Sequence, residues 1–163
     1  MKIPFTLNNE SVVFDAEPDA KLLQLLRKNG FLDVKEGCKG GLCTACTVLL
    51  NGIPVPSCLV TAASIRDNRI VTLDYFKKTA EYIDIEQGFA QAEAHLCGYC
   101  DAGKILTAFS IITSNPRPTR EEIFNEVKHF PCKCTDTDTL INGILFAAAA
   151  RRNRLSGMSH GKK

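Results

Sequence analysis

Histidine is scarce in this sequence, and so are the features that define several large classes of protein. Only three histidines occur among 163 residues, so any metal site must rely mostly on other ligands. The net charge of +2 does not indicate a nucleic acid or an anionic membrane as a partner. No apolar run approaches the length of a membrane span. The first residues lack the apolar core and cleavage site of a secretory signal, so we expect a cytoplasmic protein.

Cysteine, by contrast, is abundant, with eight residues in the chain. In a secreted protein this number would favour four disulfides, but intracellular thiols are mostly kept reduced, which favours metal binding here. Cys132 and Cys134 are separated by one residue, and side chains this close on an extended backbone diverge rather than converge as a disulfide requires. A metal or a metal cluster can bind both thiolates.

The first half of the chain predicts a small sheet with one helix across it. Two strand-like runs flank Asn8-Asn9, and a second pair flanks Asn51-Gly52, so each pair predicts a hairpin. The run "PDAKLLQLLRKNG" predicts a short helix that stops at Gly30, and "RIVTL" predicts a last strand. We place this domain at residues 1–75.

The second half predicts a small helical bundle at residues 76–155, followed by a flexible tail at 156–163. Its four helical stretches are "IDIEQGFAQAEAHL", "AGKILTAFSIIT", "TREEIFNEVKHF" and "DTLINGILFAAAARRN". Thr119 and Glu122 form a capping-box pattern at the start of the third stretch, and "TSNPRPT" separates it from the second.

The first four cysteines follow the spacing C-x4-C-x2-C-x11-C, and C-x4-C-x2-C…C is the plant-type [2Fe–2S] ligand pattern. The candidate ligands are Cys38, Cys43, Cys46 and Cys58. Glycines fit a loop around a cluster, because such a loop needs backbone N–H donors and residues that tolerate positive φ. We therefore assign Gly37, Gly40 and Gly41 to cofactor binding.

The last four cysteines form two close pairs, each before a predicted helix. The candidate ligands are Cys97, Cys100, Cys132 and Cys134, and Gly98 is a further candidate for cofactor binding. Helix N-termini stabilise thiolates and anionic clusters. Two zinc sites also fit the cysteine count, although zinc favours paired C-x2-C knuckles. A thioredoxin-type dithiol at "CGYC" is disfavoured, because the preceding segment is predicted to be helical rather than a strand.

Taken together, "EGCKGGLCTACTVLLNGIPVPSC", "LCGYCDAGKIL" and "CKCT" resemble the iron–sulfur subunits of the molybdenum hydroxylases, the xanthine dehydrogenase and aldehyde oxidoreductase family. The resemblance covers about residues 3–150 and implies an α+β protein. It implies a β-grasp ferredoxin-like domain with one [2Fe–2S] cluster, followed by a four-helix domain with a second one. It also implies a large catalytic subunit that binds molybdopterin, and a FAD-binding medium subunit or an external acceptor that takes up the electrons.

The chain departs from the family pattern around both sites. Lys39 and Thr44 stand where the family usually has Gly. Around the second site the departures are Leu96, Asp101, Ala102, Lys104, Lys133, Asp136 and Thr137. The usual Gln at the position of Leu96 hydrogen-bonds the pterin, so we expect an altered partner surface. Lys104 and Lys133 are expected to be solvated, although either could tune the potential of a cluster.

The sequence therefore predicts an electron-transfer subunit of a molybdopterin-dependent hydroxylase, part of an oxidoreductase complex and not catalytic alone. Two alternatives stay open. The chain could be an iron–sulfur carrier for an atypical or non-molybdenum enzyme, or a zinc-binding interaction module.

Overall fold

The computed structural model describes residues 1–131 and 133–160, so the predicted ligand Cys132 lies outside the described residues. The predicted α+β class is confirmed: a mixed sheet comes first and helices follow. None of the helices in the described part of the chain is long and apolar enough to cross a membrane.

The N-terminal half is a five-stranded mixed sheet in the order β2-β1-β5-β3-β4. Strands β1 and β5 pair in parallel, and the other neighbours are antiparallel. The strands are β1 (Lys2–Leu7), β2 (Glu10–Asp15), β3 (Thr47–Leu50), β4 (Ile53–Pro56) and β5 (Arg69–Val71). Helix α1 (Leu22–Lys28) packs across the sheet, which gives the expected β-grasp arrangement.

Both predicted hairpins are present, and their turns have the backbone that the sequence requires. Asn8 and Asn9 have φ of 50° and 70°, and Asn51 and Gly52 have φ of 51° and 83°. Two consecutive residues with positive φ define the turn whose twist matches that of the flanking strands. The second turn brings β4 back along β3, and Cys58, just after β4, is hydrogen-bonded to Cys46 and to the backbone of Gly41 in the cysteine-rich loop.

Helices make up the second half of the chain. They are α2 (Leu73–Phe76), α3 (Ala80–Gln91), α4 (Asp101–Ser114), α5 (Arg120–Val127) and α6 (Thr137–His160). The capping box at Thr119 is complete, since its side chain accepts from the backbone of Glu122 and the Glu122 side chain accepts from the backbone of Thr119. Helices α3 and α6 cross closely at Gly88, where an added Cβ would lie 2.2 Å from the backbone nitrogen of Ala147.

One helix and two helix ends differ from the sequence prediction. The short helix α2 was not predicted, and α3 ends at Gln91 rather than near Leu96. Glu93 takes φ of 57°, and the non-helical segment after it packs Ala94 into the core. Helix α6 continues to His160, into the stretch predicted as a flexible tail, and no proline interrupts it.

The two halves share apolar contacts. Leu49 of β3 belongs to the same buried cluster as Leu106 and Ile112 of α4. Helix α4 also packs against β4. Because α4 begins directly after Cys100, this packing places the second cysteine site beside the first half of the chain.

Candidate metal centres

The loop at residues 36–46 directs backbone N–H groups at the sulfur of Cys38. The backbone nitrogens of Gly40, Leu42 and Cys43 donate to the Cys38 Sγ over 3.4, 3.3 and 3.2 Å. These bonds, that from Gly40 first, lower the pKa of the Cys38 thiol to about 6. The loop is therefore shaped to hold this sulfur as a thiolate, the form that binds metals.

The four cysteines of this site are linked in two pairs. The backbone nitrogen of Cys38 donates to the Cys43 Sγ over 3.4 Å. Cys46 and Cys58 are buried and hydrogen-bonded through their side chains. Burial, and then the contact with Cys46, raises the pKa of Cys58 to about 11. Two pairs of sulfurs suit a two-iron cluster in which each iron takes two ligands.

The loop needs left-handed backbone at three positions. Lys39, Gly41 and Thr44 have φ of 59°, 77° and 62°. This explains why glycine is expected where Lys39 and Thr44 stand, since side chains disfavour this region and β-branched ones do so most.

The predicted cofactor-binding glycines occupy different settings. An added Cβ at Gly37 would lie 2.5 Å from the Cys43 Sγ, so only glycine fits against this sulfur. Gly40 has space around it and contributes its N–H, and the N–H of Gly41 bonds Cys58. Gly98 has φ of 79° and its carbonyl accepts a hydrogen bond from Lys35. Their assignment to cofactor binding stays a prediction.

The second site brings three predicted ligands together. The Sγ atoms of Cys97, Cys100 and Cys134 all lie within 4.8 Å of one another. Cys100 is buried and is the N-cap of α4, whereas Cys97 and Cys134 are exposed. A group of three thiolates at a helix N-terminus suits a thiolate-bound metal centre, and this geometry alone fits zinc as well as iron.

Lys104 is the residue at this site that sequence reasoning placed wrongly. It is only 1% exposed, and its Nζ lies 3.1 Å from the Cys134 Sγ. The expectation that it is solvated is wrong, because α4 turns this side chain inward beside the thiols. Lys133 is exposed, as expected.

Three side chains, those of Lys35, Tyr99 and Thr44, join the two sites. The Lys35 Nζ donates to the carbonyl of Gly98 and pairs with Asp101 Oδ1 at 3.1 Å. The Tyr99 hydroxyl is hydrogen-bonded to Cys43, whose negative charge is the main cause of a raised pKa of Tyr99. The side chain of Thr44 packs against Gly103 in α4. These contacts could not be read from sequence, because they join residues of the two halves.

Comparison with known proteins shows which cofactor the two halves of the chain bind. Residues 5–69 match the family "2Fe-2S iron-sulfur cluster binding domain", and residues 72–145 match the family "[2Fe-2S] binding domain". The chain is thus a protein with two [2Fe–2S]-binding domains, and the zinc alternative is not supported.

Relatives extend over nearly the whole chain. The nicotinate dehydrogenase small FeS subunit of Eubacterium barkeri is 41% identical, over 82% of this chain and 85% of that protein. The xanthine dehydrogenase iron-sulfur-binding subunit of Escherichia coli O157:H7 is 34% identical, over 88% and 91%. The structure of quinoline 2-oxidoreductase from Pseudomonas putida 86 is similar with a TM-score of 0.80 and 35% identity, over 93% and 96%.

The chain belongs to the family of iron–sulfur subunits of the molybdenum hydroxylases. It is an electron-transfer subunit of an oxidoreductase complex, and its catalytic partner is a molybdopterin-binding subunit.

Proposed function

We propose that the eight cysteines hold the two clusters, four cysteines to each. The first set is Cys38, Cys43, Cys46 and Cys58, and the second set is Cys97, Cys100, Cys132 and Cys134. A bound [2Fe–2S] cluster accepts and donates one electron. The observation that carries the assignment is the grouping of three sulfurs within 4.8 Å at the start of α4. The paired sulfurs of the first loop support it at the other site.

The residues of this chain position the sulfurs and limit the access of water to them. Backbone N–H groups stabilise Cys38 as a thiolate, and burial shields Cys46, Cys58 and Cys100. Hydrogen bonds to sulfur and exclusion of solvent are two of the means by which a protein sets a cluster potential. The contact between Tyr99 and Cys43 holds the second site against the first, as a short path between them requires.

We further propose that electrons enter from the molybdopterin subunit and leave to a FAD-binding medium subunit or another acceptor. The resemblance to the family supports the flavin subunit. The division into domains at 1–75 and 76–155 is part of the proposal, and the family matches at 5–69 and 72–145 support it. The cytoplasmic location stays a prediction.

The proposed partner surface includes Leu96. Its side chain is half-buried and packs against the helical core, so it offers no hydrogen bond at the position where the family usually has Gln. Any polar contact to the pterin here must come from the backbone of this chain. Substitution Leu96→Gln should therefore tighten the association with the large subunit, which surface plasmon resonance of the purified subunits can measure. An unchanged dissociation constant would place the pterin contact elsewhere.

Single ligand substitutions in the purified complex test the cluster assignment. We expect Cys38→Ser to abolish one of two reduced [2Fe–2S] signals in electron paramagnetic resonance (EPR), and Cys134→Ser to abolish the other. Each variant serves as the control for the other, because both remove one thiol. If either variant retains both signals with unchanged g values, the assignment of that cysteine is wrong. The flavin and molybdenum contents of the same sample test whether the two proposed partner subunits are present.

A further inference from the structure

The first turns of α4 carry a lysine that is almost completely buried. Lys104 is 1% exposed and is among the largest fully buried side chains in the described residues. An ammonium group is expensive to bury unless negative charge or hydrogen-bond acceptors compensate it. Its Nζ lies 3.1 Å from the Sγ of Cys134, so the compensating group at hand is a proposed cluster ligand.

The position of Lys104 in α4 ties it to the other ligands as well. It follows the N-cap Cys100 by one helical turn, and its backbone nitrogen lies 3.5 Å from the carbonyl of Cys100. The Sγ atoms of Cys100 and Cys134 lie within 4.8 Å of each other. The Lys104 side chain therefore lies on the buried side of the three cysteine thiols, away from solvent.

We propose that Lys104 is a built-in counter-charge for the second cluster and raises its reduction potential. This inference rests on the proposed function. Adding an electron makes a thiolate-bound cluster more negative, so a fixed cation beside it stabilises the reduced state more than the oxidised state. Burial makes the effect larger than that of a surface lysine, because water and salt screen it less.

Lys133 provides a matched control from the same site. It is adjacent to Cys134 in sequence but exposed, so its charge is screened by solvent. If burial did not matter, removing the charge of either lysine would change the reduction potential of the second cluster by the same amount. The proposal predicts a large effect for Lys104 and a small one for Lys133.

The test is a redox titration of the purified complex, with both reduced cluster signals followed by EPR. We expect Lys104→Met to make the reduction equilibrium of the second cluster at least tenfold less favourable. For one electron this lowers the reduction potential by about 59 mV or more. The first cluster should keep its potential, and Lys133→Met should change the equilibrium less than threefold. A Lys104→Met complex with both signals and less than a threefold change would overturn the proposal.

Further variants decide the case in which Lys104→Met does not assemble the second cluster. Lys104→Gln is neutral but polar, and Lys104→Arg keeps the charge. Loss of the second signal in both neutral variants, with its retention in Lys104→Arg, supports a counter-charge. Loss in all three variants overturns the proposal, because the site then depends on the shape of lysine. A wild-type complex without [2Fe–2S] signals would instead refute the proposed function.

Discussion

The contact between Thr44 and Gly103 joins the two cysteine sites, and it predicts the effect of adding a single methyl group. A Cβ at position 103 would lie 2.3 Å from the Thr44 Oγ1 and 2.4 Å from its Cβ, well inside van der Waals contact. The carbonyl oxygen of Thr44 would be 3.2 Å away. Gly103→Ala therefore requires the loop and α4 to separate. Overpacking of this kind costs about 1–3 kcal/mol.

Thr44 itself is strained, which makes the reciprocal substitution informative. It is β-branched with φ of 62°, and its Oγ1 is buried with no hydrogen-bond partner among the described residues. Thr44→Gly removes both obstructing side-chain atoms and relieves the backbone. In this background, Gly103→Ala meets only the carbonyl oxygen, and we expect its cost to fall by at least half. The two substitutions should thus be strongly non-additive.

The assay is the thermal midpoint of cluster-loaded protein, followed by visible absorption and circular dichroism at one scan rate. For a chain of this size, 1 kcal/mol corresponds to about 2–4 °C, so Gly103→Ala should lower the midpoint by about 2–12 °C. Gly157→Ala in α6 is the control: an added Cβ there meets nothing within 4 Å, and the midpoint should stay equal or rise slightly. Equal losses from Gly103→Ala with and without Thr44→Gly would refute the reasoning.

Three further predictions concern other contacts. Tyr99→Phe removes the hydrogen bond to Cys43 and should lower the potential of the first cluster in an EPR-monitored titration; an unchanged potential would contradict this contact. The Asp84 carboxylate is 2% exposed and pairs with Arg154 at 2.8 Å. Arg154→Ala leaves this buried carboxylate without its cation and should lower the free energy of unfolding by about 3 kcal/mol. A thermal midpoint within about 2 °C of wild type would show that the pair contributes little. Asp136→Ala should lower the midpoint at neutral pH. Hydrogen bonds from Thr139 hold the pKa of Asp136 below its ordinary 3.8, so the carboxylate stabilises the fold above pH 3.8 and loses this effect at lower pH. The difference in midpoint between Asp136→Ala and wild type should therefore shrink as the pH falls below about 4. A difference that does not change with pH would contradict this prediction.

Local signals in the sequence predicted much of the fold. The Asn-Asn and Asn-Gly turns, the capping box at Thr119 and the apolar spacing of the helices each depend on neighbours within a few residues. The cysteine spacings and the resemblance together indicated both [2Fe–2S]-binding domains, which the family matches confirm. The end of α3 was wrong because the segment after Gln91 keeps helical composition but packs on the core in another conformation.

The electrostatic contacts could not be predicted, since they join residues far apart in the chain. The inward direction of Lys104 depends on how α4 packs, and the pair of Lys35 with Asp101 links the two halves. Asp101 departs from the family pattern, and the sequence alone did not explain why. In the structure its carboxylate pairs with Lys35. The buried pair of Asp84 and Arg154 likewise requires α3 and α6 to be in place.

The most direct test of the central claim is the iron and acid-labile sulfide content of the complex isolated anaerobically, with EPR of the dithionite-reduced sample. Two [2Fe–2S] clusters in this chain predict about four irons and four sulfides per copy and two distinct reduced signals. Zinc without labile sulfide, or a single [2Fe–2S] signal from fully loaded protein, would contradict the account.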